Sequence, residues 1–179
     1  MMDAARSLLL VVDVQARLLP AIHHADRVLA NCVWLVRVAK ELGVPVVLSE
    51  QYPQGLGSTV PALRELVPDE AIVEKVHFSC VAEGCLFDLP AYAREQMIVA
   101  GTEAHVCVLQ TCMGLLTEGK QVYVVADAVG SRDPENADLA LERLRQNGAQ
   151  IVSREMVAFE WLQRAGTDAF RRVSRAYIR

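Results

Sequence analysis

Five consecutive apolar residues, Leu8 to Val12 within SLLLVVDV (7–14), constrain this chain more than any other feature. Successive side chains of a strand point to opposite faces, so a run without polar positions is apolar on both and needs cover on both. That is the situation of a central parallel strand. Five further short runs follow: VPVVLSEQY (44–52), AIVEKVHF (71–78), QMIVAGT (96–102), QVYVVADAV (121–129) and QIVSRE (150–155). Stretches of helical period separate them: 24–43 ending at Gly43, a short one near 60–66, 105–118 before Gly119, and 134–147 before Gly148. The tail, 156–179, also reads as helical. This alternation predicts an α/β fold, a three-layer doubly wound sheet of six mainly parallel strands with helices on both faces. No linker or repeat divides the chain, so one domain over 1–179 is expected.

Composition removes several classes of function. With 53% hydrophobic and 22% charged residues, the chain is not disordered. A net charge of −4 and the lack of any Lys/Arg run give no footprint for nucleic acid or anionic membrane. The N-terminal apolar run is too short to span a bilayer, and no signal-peptide cleavage pattern follows it. Five cysteines (Cys32, Cys80, Cys85, Cys107, Cys112) form an odd, irregularly spaced set. That argues against a disulfide framework and for a reducing, cytoplasmic setting. The apolar content points to a homo-oligomer, a dimer or larger.

Ligands of doubly wound sheets bind outside the carboxyl ends of the strands. Three reactive groups fall there. Asp13 ends the first strand and is either a half-buried carboxylate in need of a partner or a cap for the next turn. Lys75 lies in the third strand and is either part of a site or a solvent-facing edge residue. Cys107 opens the helix after the fourth strand and is either a nucleophile or an inert core thiol. Together they fit one chemistry. A helix N-terminus favours a thiolate, a nearby carboxylate takes the thiol proton, and a lysine orients that carboxylate. Backbone N–H groups of the strand-to-helix turn can hold a developing oxyanion.

At these residues the chain resembles the isochorismatase-like cysteine hydrolases over nearly its whole length. The matching motifs are VDVQ (Asp13, Gln15), EKVHFSC (Lys75) and GTEAHVCV (101–108), while SEQYPQGLGST (49–59) resembles the isochorismatase-domain-containing subgroup. The resemblance implies an Asp13–Lys75–Cys107 triad, a small amide-like substrate and a thioester intermediate. It also implies a non-proline cis peptide at Thr102–Glu103 that aims the Glu103 N–H, with that of Cys107, into an oxyanion hole. Metal-dependent nicotinamidases of this group hold their ion with histidines after the second strand. No histidine lies between His24 and His77, so neither metal nor cofactor is expected. Isochorismatases proper lack the nucleophilic cysteine, which sets Cys107 against that activity.

Gln15, Phe78 and His105 are candidates for the substrate pocket, with a backbone-satisfying role open for Gln15 and His105. Tyr52 and Trp161 read as core or interface, as Phe78 also can. Cys80 and Cys85 are badly spaced for zinc, and Cys112 reads as a core thiol. The rival function is a non-catalytic or redox-sensing thiol protein on the same fold.

Overall fold

A computed structural model describes residues 1–178. The strands are β1 (Ser7–Val12), β2 (Val46–Gln51), β3 (Ile72–Lys75), β4 (Gln96–Thr102), β5 (Gln121–Gly130) and β6 (Gln150–Val152). They form a six-stranded sheet in the order β3-β2-β1-β4-β5-β6, with every neighbouring pair parallel. The helices are α1 (Ala25–Glu41), α2 (Pro53–Leu56), α3 (Pro61–Arg64), α4 (Cys80–Glu83), α5 (Leu109–Thr117), α6 (Pro134–Gln146), α7 (Arg154–Leu162) and α8 (Asp168–Val173). Arg179, the end of the helical tail expected from sequence, lies outside the described residues. No helix among them is long and apolar enough to cross a membrane.

The two-sided character of β1 resolves into two cores. Leu9 and Val11 join a cluster with α1 and α7, including Leu35, Val36, Val157 and Trp161. Leu8, Leu10 and Val12 join the opposite cluster with α5 and α6, including Cys112, Leu115 and Leu144. All of β1 is buried. Each fully buried Leu or Val side chain contributes roughly 1.5–3 kcal/mol relative to exposure, so this strand anchors both layers. Trp161 belongs to the core, its indole N–H donating to Ser7 Oγ at 2.9 Å.

Three departures from the expected boundaries have local causes. β3 stops at Lys75 rather than continuing to 78, because the Val76 and His77 amides donate to Glu83 Oε2 at 3.0 and 2.8 Å instead of to a strand. β6 stops at Val152 because Ser153 caps α7, its Oγ accepting from the Met156 amide at 3.2 Å. The tail is broken between α7 and α8, where Gln163 and Gly166 both adopt positive φ. One glycine is indispensable to the sheet. Gly101 has φ +122°, and a Cβ there would collide with the Val12 backbone. The β4–β5 register shifts at this same point, between Val99 and Gly101.

The strand order reverses between β1 and β4, so the switch point lies between the segment after Val12 and the segment after Thr102. Asp13 follows the first and Cys107 the second.

Candidate active site

Asp13 leaves β1 in the left-handed conformation, φ +53°, which Asp tolerates better than most residues. Its backbone is tied on both sides: its N–H donates to Ser49 O at 3.1 Å, and its C=O accepts from Thr102 Oγ1 at 2.6 Å. Its carboxylate is fully buried and twice partnered. Ser49 Oγ donates to Oδ1 at 2.6 Å and Lys75 Nζ donates to Oδ2 at 2.7 Å. The sequence alternative of a helix-capping Asp13 is thereby removed.

Lys75 sits on β3, the edge strand, yet its side chain has no exposure. It reaches over the end of β2, where Nζ also donates to Gln51 Oε1 at 2.6 Å. The solvent-facing reading of Lys75 fails for that reason. Burial alone works against the ammonium, but the charge of Asp13 and the hydrogen bond to it outweigh that and raise the lysine above its ordinary value.

The helix expected at 105–118 begins differently. Ala104–Val108 form a π-helical turn, with Val108 N–H donating to Glu103 O at 3.2 Å, and α5 starts only at Leu109. Single π turns of this kind concentrate at functional positions. Cys107 lies within the turn, 4% exposed and close enough to Asp13 for its charge to act on the thiol. The thiolate expected from a helix N-terminus is not favoured here. Burial pushes the thiol well above its ordinary range, the Asp13 charge adds to that, and Lys75 only partly opposes them. Burial and the Asp13 charge thus both favour the neutral thiol at rest.

The Thr102–Glu103 peptide is trans, as is every other peptide among the described residues, so the cis bond implied by the resemblance is absent. The chain reverses instead through Glu103 itself, at φ +53° and ψ +63°. The Glu103 side chain is almost entirely buried and accepts from Arg132 Nε at 2.5 Å.

A cavity of about 620 Å³ opens over Cys107. Leu18, Leu56, Phe78 and Val106 give it apolar walls; Gln51, Glu103 and Arg132 supply its polar ones. Segments after β1, β2, β3, β4 and β5 all contribute, as the strand order requires. Phe78 is therefore at the pocket. Gln15 is not: it is fully buried, its Nε2 donating to Gln51 O and Gly57 O and its Oε1 accepting from Gln51 N–H at 2.8 Å. His105 is also absent from the wall, its Nδ1 lying 2.9 Å from Ser131 Oγ. Sequence reasoning missed Ser49, Gln51 and Arg132. The first two are two apart at the end of β2, hence on one face, and Arg132 follows the end of β5. Their positions at strand C-termini were the available signal. Among the described residues no three His, Cys, Asp or Glu side chains gather as metal ligands.

A sequence profile described as the isochorismatase domain matches residues 7–156. The chain is 39% identical over 176 residues to the secreted isochorismatase effector Isc1 of Phytophthora sojae, covering 94% of this chain and 83% of that one. In three dimensions it resembles the YcaC gene product of Escherichia coli, described as an octameric hydrolase of unknown specificity. The TM-score is 0.90 at 26% identity, over 99% of this chain and 90% of that one. It also resembles YcaC from Pseudomonas aeruginosa, solved with hexane-2,5-diol and covalent acrylamide, with a TM-score of 0.89, 27% identity and coverage of 99% and 91%.

Proposed function

Because the chain belongs to the isochorismatase family, we propose that it is a cysteine-dependent hydrolase of a small amide-like C–N substrate, with Asp13, Lys75 and Cys107 as its triad. One observation carries this reading: a fully buried Asp13–Lys75 ion pair lies near Cys107, which stands in the wall of an open cavity. Buried ion pairs contribute little net stability, so their retention at a cavity is better explained by chemistry.

The resting thiol has to lose its proton as the S–C bond forms, and Asp13 is the acceptor within reach. Cys107 Sγ attacks the carbonyl carbon and the proton passes to Asp13. With the Thr102–Glu103 peptide trans, the role expected for the Glu103 N–H falls away; the oxyanion rests on backbone N–H groups of the turn that carries Cys107, each such donor typically contributing about 3 kcal/mol. Collapse of the tetrahedral intermediate breaks the C–N bond, and Asp13 returns its proton to the leaving amine or ammonia. A thioester remains. Water then gives a proton to Asp13 and attacks the thioester carbon; the carboxylic acid departs and Cys107 regains its proton. Lys75 holds the Asp13 carboxylate in place throughout and Ser49 fixes its other oxygen. No step needs a cofactor. The acrylamide bound covalently in the Pseudomonas aeruginosa relative is of the size and polarity assigned here to the substrate.

The redox-sensor reading requires an easily formed thiolate, and burial of Cys107 works against one. A reducing, cytoplasmic setting accords with five free cysteines. A homo-oligomer accords with the octameric Escherichia coli relative and with exposed Val76, Phe78 and Phe87 on this chain.

The test is turnover of a panel of small amides by wild type and Cys107→Ala. Loss of at least about 10⁴-fold with an unchanged circular dichroism spectrum supports the nucleophile. Wild-type turnover by Cys107→Ala overturns it.

A further inference from the structure

We infer that Glu103 sets the charge selectivity of the cavity: by cancelling the Arg132 cation in its wall, it makes the site one for amides whose acyl group is uncharged. The inference rests on the hydrolase reading above and names its substrate class.

Among the described residues Arg132 is the one cation of the cavity wall, and its side chain is 61% exposed. An arginine so placed is an anion anchor unless its charge is met. Glu103 meets it. The Glu103 side chain is only 7% exposed, and Oε1 accepts a hydrogen bond from Arg132 Nε. Its other oxygen, Oε2, is buried without a hydrogen-bond partner; His105 Nδ1 lies 3.4 Å away but is directed at Ser131. A half-satisfied buried carboxylate is costly to keep, which points to a use for its charge. Asp13 and Lys75 cancel one another in the same way. The cavity wall therefore holds one matched pair and no net charge, and the Asp13–Lys75 pair, which is fully buried, adds none.

Against that background a substrate carboxylate finds Glu103 beside Arg132, and gains nothing to offset its desolvation by Leu18, Leu56, Phe78 and Val106. An ammonium group meets the converse arrangement. A neutral aliphatic or aromatic acyl group gains from the walls, about fourfold in affinity per buried methylene.

The experiment uses two alkylating reagents of nearly equal size that differ in charge, iodoacetamide and iodoacetate. Their second-order rates at Cys107 are read by mass spectrometry of its peptide at about pH 8, above the ordinary imidazole range. The ratio of rates is referred to that of free glutathione. Wild type is expected to favour iodoacetamide beyond the glutathione ratio. Glu103→Gln leaves Arg132 unmatched and should lower that preference about fivefold. Arg132→Gln leaves Glu103 unmatched and should raise it by a similar factor. The double variant should return to within about twofold of wild type. If Arg132→Gln does not fold, Glu103→Gln against the double variant makes the same comparison. No preference in wild type, or single variants that shift the ratio in one common direction or not at all, overturns the inference. Alkylation needs no turnover, so a failed hydrolase reading leaves this ratio measurable, and a failed charge reading leaves turnover untouched.

Discussion

Lys75 Nζ lies 2.7 Å from Asp13 Oδ2, and neither side chain has any exposure to solvent. Removing one partner of such a pair leaves a charge buried with nothing to match it, at a cost of about 3–5 kcal/mol. Lys75→Met should therefore lower unfolding free energy by about that amount in urea. The double variant Asp13→Leu/Lys75→Met should recover most of the loss while remaining inactive. A double variant as unstable as the sum of its singles would show that the two residues do not act as a pair.

The state of Cys107 before substrate arrives is a separate matter. Burial first, and the Asp13 charge second, hold the thiol above its ordinary value near 9. The sign is that of a raised group: the protonated form persists as pH rises through neutrality. Thiolate absorbance near 240 nm, taken as wild type minus Cys107→Ser, should stay flat up to about pH 9. A step between about pH 6 and 8 would instead indicate a preformed thiolate of the kind helix N-termini favour.

Phe78 stands in the cavity wall, and Glu83 ties down the two residues before it through the Val76 and His77 amides. The Glu83 carboxyl is lowered to about 2, chiefly by the His77 amide, then by the His77 ring, then by the Val76 amide. A lowered folded value means the contribution is present above the ordinary carboxyl value of 4.5 and is lost as pH falls from there toward 2. The Val76 and His77 amide resonances should titrate with a midpoint near 2, and Glu83→Gln should abolish that titration. A midpoint at the ordinary carboxyl value would mean that Glu83 does not hold the loop.

The architecture was legible in the sequence because two-sided burial leaves a plain mark: Leu8 to Val12 could only be an interior strand. Asp13, Lys75 and Cys107 stood out in the sequence as a carboxylate, an amine and a thiol at strand ends, each weak alone and joined by the resemblance to a known family. What surrounds them was not. Ser49 and Gln51 look like ordinary polar residues at the end of β2 until Asp13 and Lys75 are placed beside them. Gln15 was open to a pocket or a structural role in the sequence, and its amide is consumed by the backbone at Gln51 and Gly57. The left-handed turn at Glu103 had no glycine to announce it. Burial of the Cys107 thiol depends on side chains distant in sequence, which a local argument from the helix N-terminus does not include.

The most direct test of the account is a covalent one. Wild-type protein mixed with a slowly turned-over small amide and quenched in acid should carry an acyl group on the Cys107 peptide. The adduct should be labile to hydroxylamine as a thioester is, and absent from Cys107→Ala. Amide turnover that proceeds in Cys107→Ala, or an acyl group found on any other residue, would contradict it.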